Sequence, residues 1–150
     1  MNKLSKKKGF TLIEILVVIG IIALLATIVL IAINPARQFA QARNTQRVSN
    51  LNTILNAMGQ NLADNKGVWT CGSVYFNVSS ASTTIGTSGS DLTCLTPVYI
   101  GSGIPQDPTG GTAADTKYQV STTTTGRIML CAPNGQESAI PGSAPICVTR

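Results

Sequence analysis

A chain of 150 residues, 43% hydrophobic, 11% charged and carrying a net charge of +5, has room for one small folded domain beside any membrane segment. With no histidine, no serine in a nucleophile-elbow context and no lysine in a phosphate loop, it holds no catalytic constellation, so neither an enzyme nor a bound cofactor is expected. Four of its eleven bases are Lys3, Lys6, Lys7 and Lys8, and residues 10–150 hold seven bases against six acids; the basicity belongs to targeting rather than to ligand binding.

Residues 6–14 read KKKGFTLIE, and from residue 15 to residue 33 no charge appears. An apolar run of roughly twenty residues, at about 1.5 Å rise each, is long enough to cross a bilayer core as a helix. Glu14 stands at its threshold, where a carboxylate needs a neutralising partner and therefore marks function. An ordinary secretory signal is cut after its apolar stretch, whereas the basic-then-glycine junction here precedes it, so the helix should remain in the mature protein. The lysine cluster, set against a first downstream base at Arg37, orients the segment with its start in the cytoplasm and its bulk outside. The plain alternative is an uncleaved signal anchor, which leaves the acid and its spacing unexplained.

Gly9, Phe10, Thr11, Leu12, Ile13 and Glu14 together resemble the prepilin leader junction of type IV pilins and type II secretion pseudopilins. The resemblance is specific over roughly the first thirty-five residues and architectural beyond them. It implies that a prepilin peptidase cuts after Gly9, that the new amine of Phe10 is methylated, and that Glu14 drives filament assembly. The expected organisation is a leader at 1–9, an apolar transmembrane and filament-core helix at 10–34, an amphipathic continuation at 35–66 and a β-rich head at 67–150.

Asn34-Pro35 ends the apolar run, and the proline removes a helical hydrogen bond, so a kink or a restart is expected there. Farther on, Val48, Leu51, Leu55, Met58 and Leu62 recur at spacings of three and four, with Ile54 beside them, a stripe that should pack on a sheet. Residues 34–47 carry no such stripe and read as an exposed neck. Lys66-Gly67 is a helix stop. Beyond it, strands are expected at 74–78, 117–122 and 127–132, the last two forming a hairpin around residues 123–126, with a short one at 98–100. The Ser/Thr/Gly tract at 79–90 reads as an exposed loop, open to O-glycosylation or simply solvated. Asn77-Val78-Ser79 fits a glycosylation sequon, a triplet that also arises often by chance.

Cys71, Cys94, Cys131 and Cys147 lie outside the apolar segment, in what should be an oxidising compartment, and their even number favours two disulfides. Three pairings are open. The sequential one, Cys71 with Cys94 and Cys131 with Cys147, closes the shorter loops, each bridge adding about 3 kcal/mol on chain-entropy grounds. A zinc site is disfavoured, since there is no C-x2-C knuckle and no histidine. Residues 104–111, IPQDPTGG, resemble the DP-containing loop of pseudopilins, in some of which nearby acids and carbonyls hold calcium. Asp107 and Asp115 are the weak candidates here, but calcium takes six to eight oxygens, and a structural Asx turn is the better reading.

The fold class expected is α+β: a long N-terminal helix, apolar in its first half, packed by its second half on a small antiparallel sheet. The function expected is a structural subunit of a type IV pilus-like filament serving adhesion, motility or surface contact. Its partners are further copies of itself, the prepilin peptidase and an assembly machinery; the precursor sits in the cytoplasmic membrane and the product at the cell surface. The alternatives are the major pseudopilin of a type II secretion system, a DNA-uptake pilin and, from a different class, a monomeric membrane-anchored binding module. Arg37, Arg43 and Arg47 lack an interleaved aromatic ladder, which argues against nucleic-acid binding.

Overall fold

The structure, a computed structural model, describes residues 9–71, 74–75 and 81–150, with only the backbone described at 71, 74 and 75. The chain divides into two compact units between Gln38 and Phe39. In the first, α1 (Leu12–Ile33) is a helix of 22 residues with no buried side chain. Its hydroxyl at Thr27 donates to the Ala23 carbonyl at 2.9 Å, so even this polar group is satisfied within the helix. The expected break falls at Asn34, which takes the left-handed conformation (φ 47°) and caps α1, an excursion that asparagine tolerates better than most residues. Pro35 then opens α2 (Pro35–Asp64) at the position where a missing N–H costs nothing. The Asn34 side chain and carbonyl both accept from the Arg37 amide, at 3.3 and 3.1 Å. One asparagine thus closes one helix and starts the next.

In the second unit α2 buries Ala40, Arg47, Leu51, Ile54, Leu55, Ala57, Met58 and Asn61. This is the expected stripe with two corrections. Val48 faces out at 39% exposure, and Leu62 is only partly buried. The expected neck is exposed at 34–39, 41, 42, 45 and 46, but within it Ala40 and Arg47 are fully buried. The helix stops at Asp64, and Lys66 (φ 57°) and Gly67 (φ 85°) reverse the chain, with the Gly67 amide donating to the Leu62 carbonyl at 2.7 Å.

A four-stranded antiparallel sheet faces this helix across a single core. Its order is β3 (Thr83–Thr84), β4 (Gln119–Thr122), β5 (Ile128–Ala132), β6 (Ile146–Thr149); a separate two-residue pair joins β1 (Thr70–Cys71) to β2 (Val74–Tyr75). Leu51, Ile54, Leu55 and Met58 share that core with Trp69, Ile85, Leu92, Leu95, Ile100, Tyr118, Val120, Leu130 and Ala132. The architecture is the α+β arrangement expected. The hairpin at 123–126 closes with the Thr123 amide donating to the Arg127 carbonyl at 2.8 Å and Gly126 at φ 77°.

Residues 98–100 do not form the short strand expected. They fold back on a 3-10 turn at Thr93–Leu95, the amides of Tyr99 and Ile100 both donating to the Leu95 carbonyl. The 79–90 tract is also more ordered than an exposed loop where it is described. Thr83 and Thr84 form an edge strand, and Ile85 is fully buried, donating to the Tyr118 carbonyl at 2.8 Å. The rest of that tract, the Asn77 sequon and the end of the expected 74–78 strand lie outside the described residues. β6 was not anticipated.

Because Leu55 is 5% exposed in the centre of the core, Leu55→Asp should cost more than about 3 kcal/mol by burying an unpaired carboxylate. The measurement is thermal unfolding of the full chain in detergent, followed by the fluorescence of the single tryptophan, Trp69; a midpoint unchanged from wild type would place Leu55 outside the core.

Candidate assembly site

The residues singled out at the start of the chain meet on the first turn of α1. Thr11 is the N-cap in extended conformation, and Glu14 is the third helical residue, which makes a capping box. The Glu14 amide donates to the Thr11 hydroxyl oxygen at 3.3 Å. In return Glu14 Oε2 accepts from the Thr11 amide at 2.8 Å and from the Thr11 hydroxyl at 2.9 Å. Threonine, two apolar residues and glutamate are the spacing that this reciprocal cap requires, and the positive end of the helix dipole favours the carboxylate there. Gly9 and Phe10 lie just before the helix in irregular backbone, with Phe10 85% exposed. The bond between them thus lies outside regular structure, where the backbone is accessible. The carboxylate uses one oxygen for its own cap, and no hydrogen bond engages Oε1 among the described residues.

α1 is long and apolar enough to cross a membrane, and every large apolar side chain on it is at least half exposed. Such a helix is stable only in lipid or among other apolar helices.

The head carries a second polar constellation, whose members lie far apart in sequence. Asp107, expected as an Asx-turn residue or a weak calcium ligand, does accept through Oδ1 from the Thr109 amide at 2.8 Å and from the Thr109 hydroxyl. Its main partner is the guanidinium of Arg47. Nε donates to Oδ2 at 2.7 Å and Nη2 to Oδ1 at 3.1 Å, with both side chains fully buried. Arg47 Nη1 donates to Glu137 at 2.6 Å and to Asn44 Oδ1 at 2.8 Å, and Nη2 also donates to the Thr109 hydroxyl at 2.8 Å. All five donors of the guanidinium are therefore used. Arg43 completes the group with a two-point contact to Glu137 at 2.8 and 2.7 Å. Gly111 is obligatory beside it: a Cβ there would lie 2.5 Å from the Asp107 amide nitrogen.

The cluster holds the segments around Asp107 and Glu137 to α2. Asp115 is not part of it; it pairs with Lys117 and accepts from the Lys117 amide at 2.9 Å. No group of three or more metal-ligating side chains occurs among the described residues.

The electrostatics follow from these contacts. Burial pushes the Asp107 carboxyl up, but hydrogen bonds from Arg47 and Thr109 outweigh it and bring it down to about 2, from 3.8. Hydrogen bonds from Arg43 and then Arg47 bring Glu137 down to about 2, from 4.5. Both carboxylates release their protons more readily in the folded state, so they contribute stability that is complete above about pH 5 and is lost as pH falls through the folded values. The head should accordingly hold a constant unfolding midpoint between pH 7 and 5 and lose a few kcal/mol, about 3 or more, between roughly pH 4.5 and 2. Trp69 fluorescence during acid titration checks this; Glu137→Gln should remove part of the slope.

Cys131 and Cys147, directly opposite on β5 and β6, are joined by a disulfide. The proposed partner bridge, Cys71 to Cys94, involves a side chain outside the described residues.

Residues 4–30 match the family model described as the prokaryotic N-terminal methylation motif, the prepilin-like motif of type IV pilins and pseudopilins. No curated protein and no solved structure matches the chain. The motif supports a pilin-like or pseudopilin-like reading and points to a structural subunit.

Proposed function

We propose that this protein is a subunit of a type IV pilus-like filament, released for assembly by cleavage after Gly9. The observation that carries the reading is α1 itself: a helix of 22 residues with no buried side chain and one carboxylate at its first turn. A monomeric anchor needs the apolar length but not the acid. A filament needs both, because staggered helices bury one another's apolar surface and a charge at a fixed depth sets their register.

Cleavage after Gly9 frees the amine of Phe10, four residues before Glu14. A subunit entering the filament presents Glu14 to the amine of a neighbour, and the pairing offsets the cost of holding a carboxylate in a low-dielectric bundle. The capping box supports this role, since Thr11 occupies only Oε2 and so fixes the carboxylate at the helix start. The head, held to α2 by the Arg47 cluster and the shared core, forms the outer layer.

Mass analysis of the protein recovered from sheared surface material should find Phe10 as the first residue, carrying one methyl group. Material that begins at Met1, or beyond residue 33, would exclude processing before the helix. Electron microscopy of the same fraction should show filaments that contain this chain, and their absence would favour the membrane-anchored monomer.

A further inference from the structure

The Cys131–Cys147 disulfide has surroundings unlike those of a core staple. Leu130 and Ala132 are buried, and Ile146 and Val148 pack against the core; by the alternation of a strand, Cys131 and Cys147 stand on the opposite face of the sheet. Cys147 is exposed and Cys131 half-buried. Ile128 and Arg150 exchange both backbone hydrogen bonds, so along this ladder Cys131 and Cys147 occupy the non-hydrogen-bonded site, where opposed side chains lie close. The bridge therefore crosses the sheet surface, and Cys147 is its more exposed residue.

What the bridge encloses is held by other means as well. Within residues 133–145 the Gly135 carbonyl accepts from Asn44 at 3.1 Å, Glu137 is bound by Arg43 and Arg47, and the Ser143 hydroxyl donates to the Glu137 carbonyl at 2.8 Å. β6 keeps its ladder to β5 and its two inward apolar side chains. Opening the sulfur bond removes none of these contacts.

We propose that Cys131–Cys147 is a reversible thiol–disulfide exchange site on the folded head, entered at Cys147. An incoming thiolate attacks the Cys147 sulfur, the bond between the two cysteine sulfurs breaks, and Cys131 leaves as a thiolate that takes up a proton. The product is a mixed disulfide on Cys147. A monothiol stops there. With a dithiol, the second thiolate displaces Cys147, leaving two cysteine thiols on the head and an oxidised dithiol. The ligand class is thus a small thiol or a dithiol reductant, and the order of attack follows from access, since exchange rates depend on which sulfur is reached.

The test uses the full chain in detergent micelles without denaturant. In the first arm, glutathione is added, the reaction is quenched with acid, free thiols are alkylated and peptides are mapped. The expected result is glutathione on Cys147, an alkylated Cys131 and no opening at Cys94, which is also disulfide-bonded. Glutathione on Cys131, or a bridge that opens only in denaturant, overturns the proposal. In the second arm, dithiothreitol is followed by hydrogen exchange. Protection should persist in β6 and residues 133–145 as well as at Leu51–Met58 in α2, and its loss in β6 and residues 133–145 would show a structural staple instead. Single variants separate the sulfurs: with Cys131→Ser the remaining Cys147 should react with oxidised glutathione at least about tenfold faster than Cys131 does in Cys147→Ser. Equal rates would remove Cys147 as the point of entry.

Discussion

Arg47→Met is expected to destabilise the head by about 3–5 kcal/mol, the range for removing one partner of a buried ion pair. The guanidinium uses all five of its donors on Asp107, Glu137, Asn44 and Thr109, and both it and Asp107 are fully shielded from water. Methionine fills much of the volume but leaves the Asp107 carboxylate buried with only Thr109 to bond it. A charge so placed either stays ionised at high cost or takes up a proton, and both routes weaken the fold at neutral pH. Lysine should restore only part of the loss, because an ammonium is a point donor and cannot form the two-point contact. Arg43→Ala, by contrast, removes a pair whose arginine side chain is 34% exposed and should cost far less, because solvent screens it. The double variant Arg47→Met with Asp107→Leu should recover much of the single loss, because no lone charge then remains. Urea unfolding of the full chain in detergent measures each value. An Arg47→Met protein within about 1 kcal/mol of wild type would show that the cluster is not structural.

Glu14→Ala is expected to abolish efficient assembly while leaving the subunit inserted, cleaved and folded. Glu14 is far in sequence from the core residues of the head, and the alanine side chain suits both a helix and an apolar phase. On the proposed assembly role, the substitution removes the carboxylate to be paired when helices bundle, and with it the contact proposed to set axial register. The capping box is lost too, and Glu14→Gln separates the two effects: glutamine can still accept from the Thr11 amide but carries no charge. If the charge matters, Glu14→Gln fails like Glu14→Ala; if only the cap matters, it assembles. The readout is the amount of filament sheared from cells whose only copy is the variant, compared with the amount of processed subunit in their membranes. Wild-type filament from Glu14→Ala cells would remove the assembly role and strengthen the anchor reading.

The two sites differ in how far the sequence revealed them. Thr11 and Glu14 are three residues apart, and a helix of fixed pitch brings such a pair together whatever else the chain does, so local spacing was enough. Arg47, Asp107 and Glu137 lie 60 and 90 residues apart, and nothing in their neighbourhoods announces the match. Arg47 stands in a stretch of α2 without an apolar stripe, a pattern that by itself implies exposure. Most of the stretch is exposed, but Arg47 is buried in it. The available hint was that Asp107 sits between prolines and glycines in a rigid loop, yet a carboxylate in a turn can satisfy itself locally, as it partly does with Thr109.

The same division runs through the fold. The apolar run, the helix restart at Asn34-Pro35, the stripe from Leu51 to Met58 and the hairpin at 123–126 are set by periodicity and by residues with narrow backbone preferences, which act over a few positions. The edge strands β3 and β6, the fold-back at 98–100 and the burial of Ile85 have no such local cause. Two or four residues of strand are held only by the neighbour they pair with, and that neighbour lies 37 residues away for Thr83, which pairs with Val120. By itself the sequence determined the helices, the basic-then-glycine junction before the apolar run and the lone acid, because bond geometry and solvation act on adjacent residues. The tertiary structure alone decided which arginine is buried, which carboxylates meet it and which cysteine faces solvent, because those outcomes depend on surfaces brought together only when the sheet closes on α2.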